Sequence, residues 1–308
     1  MGFSELQEEY IESDKTKMNR KLVIVFLSFF LLLVSCKKKK KTVVDNPQYG
    51  TITMAVDQSF QSVSEALTDR YMSLNPQTKI NLVVQKEDLA FLDLLERKVR
   101  VIIMSRELSK EEKEAFKSKL DLDLEPGPFA ADAVVFFVSK DSPRQNITVE
   151  EIKTELQSDE KKIIFDGTNS SNLNFVAQKM NTTPAKLKYS IINGNENVVK
   201  EINKHPEKIG AISLNTLSRP YDPESEKIRN SIRILPVVSS NVAYEPSLQN
   251  LRNNKYPFTI ILYFLTDERY YGLGNGLIRF SCQQLGQIVV KKEGLQPYYI
   301  FNREVKMQ

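Results

Sequence analysis

One histidine and two cysteines in 308 residues leave little of the chemistry those side chains usually carry. His205, Cys36 and Cys282 supply no ligand set for a Cys/His zinc site and no Cys–His pair at a recognisable spacing. Nor does any nucleophile stand at a recognisable distance from a base. No catalytic residue, metal or cofactor is therefore expected, and a phosphoester hydrolase ranks behind non-enzymatic readings. His205, in Asn203-Lys204-His205-Pro206, reads as a solvated helix end.

An excess of charge of one sign is also missing from the body of the chain. Beyond residue 36 stand 39 basic and 34 acidic side chains, and setting aside the run Lys37 to Lys41 leaves 34 of each. Nucleic-acid binding needs clustered surplus Lys and Arg along a phosphate-tracking surface, so that class is excluded. No internal period of 20–50 residues recurs, which excludes a solenoid. A composition of 41% hydrophobic and 27% charged residues fits a globular chain, long enough for two ordinary domains.

The first 36 residues read as an address. Leu22 to Val34 is apolar except for Ser28. Its thirteen residues would span about 20 Å as a helix, short of the roughly 30 Å hydrocarbon core but right for a signal-peptide core. Met18-Asn19-Arg20-Lys21 precedes it as a basic n-region, and Leu33-Val34-Ser35-Cys36 follows, resembling a bacterial lipobox. Cys36 is thus the expected lipidation site and Met18 the expected initiator, with Met1 to Lys17 a prefix that a signal peptide does not need. Residues 37–48 read as a charged tether.

From Thr51 onward, strand and helix alternate. Strands are expected at 51–56, 79–84, 99–104, 132–138, 162–165, 209–214, 232–238 and 258–265. The helices between them include one opened by the capping box Ser109-x-x-Glu112, one capped by Thr148, and a long one over 276–291. Such alternation argues for α/β architecture with mostly parallel sheets covered on both faces.

Several segments carry a family resemblance. Val56-Asp57-Gln58-Ser59-Phe60 opens a helix ending in Asn75-Pro76, and Val101 to Leu108 reads VIIMSREL. Phe165 to Asn172 reads FDGTNSSN, Ile209 to Asn215 reads IGAISLN, and Tyr256-Pro257-Phe258 and Gly286-Gln287 with Gly294-Leu295 follow. In this order and spacing they resemble the periplasmic phosphate-binding proteins of ABC importers, the type-II solute-binding family. The resemblance implies a two-lobed clamshell with mostly parallel sheets, lobe one being 49–130 plus 240–308 and lobe two 131–239. It implies ligand contacts from Gln58, Ser59, Phe60, Ser105, Arg106, Ser170, Ser171 and Asn172, a phosphate or other small oxyanion as ligand, an ABC permease as partner, and a monomer. Serine-rich turns at helix starts suit that ligand, because backbone N–H groups and the helix dipole favour an anion.

The chain departs from the family pattern at three places. Arg100 stands where the family has its phosphate-contacting aspartate, Asp166 where a basic residue is expected, and Ile260 where an arginine is expected. The expectation is a lipid-anchored oxyanion receptor of a bacterial envelope, facing the periplasm. The alternative is a diverged lipoprotein that keeps the clamshell as an interaction scaffold or sensor.

Overall fold

The computed structural model describes residues 45–301. The apolar run, Cys36 and the lysine run lie outside the described residues, and so do most of the tether and the start-site question.

Strands β1 (Tyr49–Val56), β2 (Gln77–Val84) and β3 (Val101–Met104) are mutually parallel with β1 in the middle. β4 (Gly127–Ser139) is followed by the short strands β5 (Ile147–Thr148), β6 (Ile163–Phe165), β7 (Ser190–Ile191) and β8 (Ile209–Ser213). β9 (Ile232–Ile234), β10 (Val237–Ser239), β11 (Val242–Tyr244), β12 (Thr259–Thr266) and β13 (Gln296–Pro297) complete the order. Ten strands share one sheet, β2-β1-β3-β12-β4-β8-β6-β7, with β9 and β13 also on β4, while β5, β10 and β11 form a separate small sheet.

β4 joins two halves. Its first seven residues pair with β12, and from Val134 onward it pairs with β8 and β9. The expectation of mostly parallel sheets is met at each end of the main sheet and reversed in its middle, where every pair made by β4 and β12 is antiparallel. The reason is topological: β4 carries the chain out of one half and β12 belongs to its return.

Both faces of the sheet are covered, which explains the unbroken apolar runs in its strands. Along β3, Val101 and Ile103 point into the core beneath helices Gln61–Leu74 and Leu273–Cys282. Ile102 and Met104 point the other way, toward Phe91, Leu94, Phe116 and Leu120 of helices Glu87–Leu95 and Lys110–Leu120. Each fully buried side chain of this kind contributes about 1.5–3 kcal/mol. The capping boxes at Ser109–Glu112 and Thr148–Glu151 are both formed.

Three elements differ from expectation. The strand over 232–238 is two strands in two sheets, because Pro236 has no N–H to continue a ladder. The helix over 276–291 is two helices, broken at Gln283, whose backbone is extended. The second packs so closely on the first that a Cβ on Gly286 would lie 2.3 Å from the Phe280 carbonyl oxygen, and the Gln287 amide donates to the Ser281 carbonyl oxygen at 2.7 Å. Finally, Asp45 to Gln48, read as tether, are docked: the Asp45 carboxylate accepts the Leu273 N–H at 2.8 Å and the Pro47 carbonyl accepts the Tyr71 hydroxyl.

Candidate functional site

Because β1, β2 and β3 are parallel, the turns after them open along one edge of the sheet, where α/β proteins place ligands. The turn after β1 supplies Asp57 and Ser59, that after β2 supplies Lys86, Glu87 and Asp88, and that after β3 supplies Ser105 and Arg106. From the other half, β6 delivers Asp166 and the start of helix Ser171–Lys179. β8 delivers Ser213.

At the centre lies the Asp57 carboxylate, fully buried. It accepts backbone N–H groups from Ser59 at 3.0 Å, Glu87 at 3.2 Å and Ser171 at 3.2 Å. Glu87 and Ser171 each begin a helix, so two helix dipoles add favourable potential at this point. Burial, and after it the neighbouring Asp166 carboxylate, pushes the Asp57 pKa up against the opposing effect of Lys86.

A second carboxylate stands beside it. Glu87, also fully buried, accepts the Ser105 N–H at 2.7 Å and the Ser105 hydroxyl at 2.6 Å. Its other oxygen lies 3.3 Å from Arg106 Nε. Burial pushes the Glu87 pKa up to about 7, with Arg106 and Ser105 pulling it back. Arg106 also binds Asp88 at 3.0 Å and Glu112 at 2.7 Å.

Two further acids complete the buried polar layer. Asp166 binds Lys86 Nζ at 3.0 Å and accepts the Asn172 amide at 3.1 Å. Lys86 can approach this closely because residue 167 is glycine: at its φ of +138°, a Cβ would lie 2.9 Å from Lys86 Cε. Asp132 accepts the Asn215 N–H at 3.1 Å and the Ser213 hydroxyl, and burial pushes its pKa up to about 7.

The structure gathers Ser59, Ser105, Ser170, Ser171 and Asn172 at this junction, all buried. Ser170 is the N-cap of its helix, accepting the Leu173 N–H. Gln58 is on the surface, and the Phe60 side chain belongs to the hydrophobic core, not the cleft. Arg100 is not at the junction. It precedes β3, at the end opposite Ser105, where it binds Asp267 at 2.7 Å and Glu268 at 3.4 Å. Ile260 is a buried β12 residue opposite Asp132 in the ladder. Of the three departures, Arg100 is therefore away from the junction, Ile260 borders it beside Asp132, and Asp166 lies in it, with its cation from Lys86 in the other half.

Sequence reasoning missed Lys86, Glu87, Asp88 and Asp132. Signals for them existed: Lys86 to Asp88 stand at the end of the second parallel strand, and Asp132 is the one charged residue in the apolar stretch 129–139. Three cavities flank the junction: one of about 880 Å³ lined by Asp88, Arg106, Asn174 and Tyr189, one of about 1020 Å³ lined by Ser105, Arg106, Phe175 and Tyr263, and a smaller one of about 210 Å³ lined by Ser59, Asn195 and Asn215. Among the described residues no helix is long and apolar enough to cross a membrane.

A family model described as a PBP superfamily domain matches residues 42–284. The chain is 24% identical over 247 residues to the phosphate-binding protein PstS of Borreliella burgdorferi, covering 73% of this chain and 82% of that protein. Its fold is similar to a Clostridium perfringens protein assigned to phosphate ABC transport and crystallised with bound phosphate, with a TM-score of 0.66 at 19% identity over 81% of this chain and 100% of that one. It is also similar to an ABC-type phosphate transport receptor of Vibrio cholerae, with a TM-score of 0.61 at 13% identity over 80% of this chain and 100% of that one.

Proposed function

Because the chain belongs to the PBP superfamily, we propose that it is a solute-binding receptor that takes phosphate or a similar small oxyanion at the Asp57–Glu87 junction. It is tethered to the bacterial envelope through lipidated Cys36 and delivers its ligand to an ABC permease. One observation carries the reading: the backbone N–H groups of Ser59, Glu87, Ser105 and Ser171 and the Ser105 hydroxyl all donate to the Asp57 and Glu87 carboxylates, and Arg106 donates to those of Asp88 and Glu112. A tetrahedral oxyanion stripped of water needs this kind of donor set. The relatives named for phosphate support the same ligand class.

In the closed form these donors hold the chain's own carboxylates. An external oxyanion enters from an opened clamshell and takes the places of the Asp57 and Glu87 carboxylates on the same donors. Titration calorimetry of the full-length chain with phosphate and sulfate tests this. Weak phosphate heat in wild type and stronger heat in Asp57→Ala are expected; no heat in either overturns the reading.

The same contacts favour a second reading, a clamshell that liganded itself and serves as an interaction scaffold or sensor. The two halves are already joined by Asp57–Ser171, Ser59–Asn172, Lys86–Asp166 and Asp88–Asn174 bonds. On that reading Asp57→Ala gains no affinity for any oxyanion.

A further inference from the structure

Where helix Gln284–Lys292 meets β13 and the segment after it, the surface is both apolar and positively charged. Leu248, Ile288, Tyr299, Ile300 and Phe301 line a hollow of about 270 Å³ there. Leu285 lies one turn before Ile288 on the same helix, and Tyr298 meets Tyr299 edge to face with ring centroids 5.0 Å apart. All of these side chains are 36–55% exposed. At about 150–250 Å² per residue, Tyr298, Tyr299 and Phe301 alone leave roughly 200–300 Å² in water. With the four aliphatic side chains added, the patch passes the few hundred Å² beyond which an apolar surface marks an interaction site.

Its charge selects the occupant. The wall of the hollow holds Arg252 and Lys291 and no carboxylate, and Lys292 continues the Leu285–Ile288 stripe at helical spacing. Among the described residues none of the three cations is ion-paired. The acid next in sequence, Glu293, is held by Arg219 at 2.7 Å. In a body whose charges otherwise balance, this is a local surplus. A second copy seated on the same patch would set like cations against each other. The chain's own last residues, 302–308, bring Arg303 and Lys306 against Glu304 and so supply no negative charge. A bilayer with anionic headgroups meets every part of the patch. It offers negative charge to the cations, a headgroup layer in which tyrosine rings are favoured, and apolar depth for Ile300 and Phe301. The run Lys37 to Lys41 is drawn to the same surface. We infer that this face docks on an anionic lipid surface, with Tyr298 to Phe301 entering at headgroup level and Arg252, Lys291 and Lys292 resting on lipid phosphates. From the proposed function the inference takes only that the chain sits at a membrane.

The chain has no tryptophan, so Phe301→Trp places a single reporter in the patch. Leu92→Trp is the comparison, 52% exposed on a helix that covers the sheet's other face. The full-length chain is mixed with vesicles of phosphatidylethanolamine and phosphatidylglycerol carrying brominated acyl chains, and with brominated phosphatidylcholine vesicles. On the anionic vesicles the Phe301→Trp reporter is expected to shift to the blue and be quenched, and the Leu92→Trp reporter to do neither. Adding Arg252→Gln/Lys291→Gln/Lys292→Gln is expected to lower the ratio of docked to free protein about a hundredfold, at roughly fivefold per cation. Raising salt from about 0.1 M to about 1 M lowers the same ratio with the three cations in place. Absent or equal quenching of the two reporters overturns the inference. So does docking that is no stronger on anionic than on phosphatidylcholine vesicles, or that the charge variant and salt leave unchanged. A blue shift with polyglutamate and none with vesicles assigns the patch to an acidic polypeptide, and also overturns it. Palmitate labelling reads the Cys36 anchor separately: quenching that persists without labelling leaves the docking face standing, and labelling without quenching leaves only the anchor.

Discussion

Replacing Asp57 with alanine removes the acceptor of three buried N–H groups, those of Ser59, Glu87 and Ser171. A buried donor left without a partner costs about 1–3 kcal/mol, so the gross loss is large. Part of it returns, because burial and the Asp166 carboxylate both disfavour the charged form of Asp57. The expected net destabilisation is about 3–5 kcal/mol, the range for breaking one side of a buried ionic arrangement. At about 2–4 °C per kcal/mol for a domain of this size, Tm falls by roughly 6–20 °C.

The variant should then respond to anions in a way wild type does not. With the carboxylate gone, phosphate or sulfate can occupy the three N–H groups. A ligand present at about a hundred times its Kd stabilises by about 2.7 kcal/mol, a rise of roughly 5–11 °C. Thermal melts of both proteins in phosphate, sulfate and chloride at matched ionic strength make the comparison. A variant that melts like wild type, or that melts low and is not rescued by either oxyanion over chloride, refutes the idea that Asp57 stands in an anion's place.

Three further outcomes are expected. Glu87 has a folded pKa raised to about 7, so its contribution to stability is complete below its unfolded value near 4.5 and is lost as pH rises through about 7. Urea melts should show stability falling across that window in wild type and a flatter profile in Glu87→Gln. Lys86→Met leaves the fully buried Asp166 carboxylate without its cation, a loss of about 3–5 kcal/mol by denaturant melts that Lys86→Met/Asp166→Asn should partly restore. Cys36→Ser should abolish labelling by radioactive palmitate, and unchanged membrane attachment in that variant would refute the anchor.

Much of the scaffold was legible because it rests on local rules. The capping boxes at Ser109 and Thr148 fixed two helix starts, and the apolar run at 101–104 identified a strand covered on both faces. Where long-range packing decides, the reading failed. The break at Gln283 depends on how closely Gly286 packs against Phe280, and the antiparallel middle of the sheet depends on the return of the chain through β12. Motif matching put Arg100 at the ligand, yet a residue that precedes a parallel strand stands at the strand's far end from the ligand edge. Strand direction alone argues against that assignment. Glu87 carries no local capping signal: it opens its helix behind Lys86, which makes no side-chain cap bond.

If the junction is the ligand site we propose, Asp57 and Glu87 also determine how an oxyanion binds there. The bonds that join the halves across the junction include Asp57–Ser171, Ser59–Asn172, Asp88–Asn174, Lys86–Asp166 through two acceptors, and Glu107–Gln178 through two donors. While they hold, the donor set is satisfied and no volume is left at Asp57, which is 0% exposed. Opening therefore precedes binding, and the apparent affinity is the intrinsic affinity scaled by the open fraction. If the internal carboxylates favour the closed form by about 3 kcal/mol, that fraction lowers affinity by roughly a hundredfold. The ratio of phosphate affinities between Asp57→Ala and wild type measures this factor, since the variant has lost the internal competitor but keeps the N–H groups. A ratio near one, with measurable binding in both, means that phosphate binds elsewhere and that Asp57 does not compete with it.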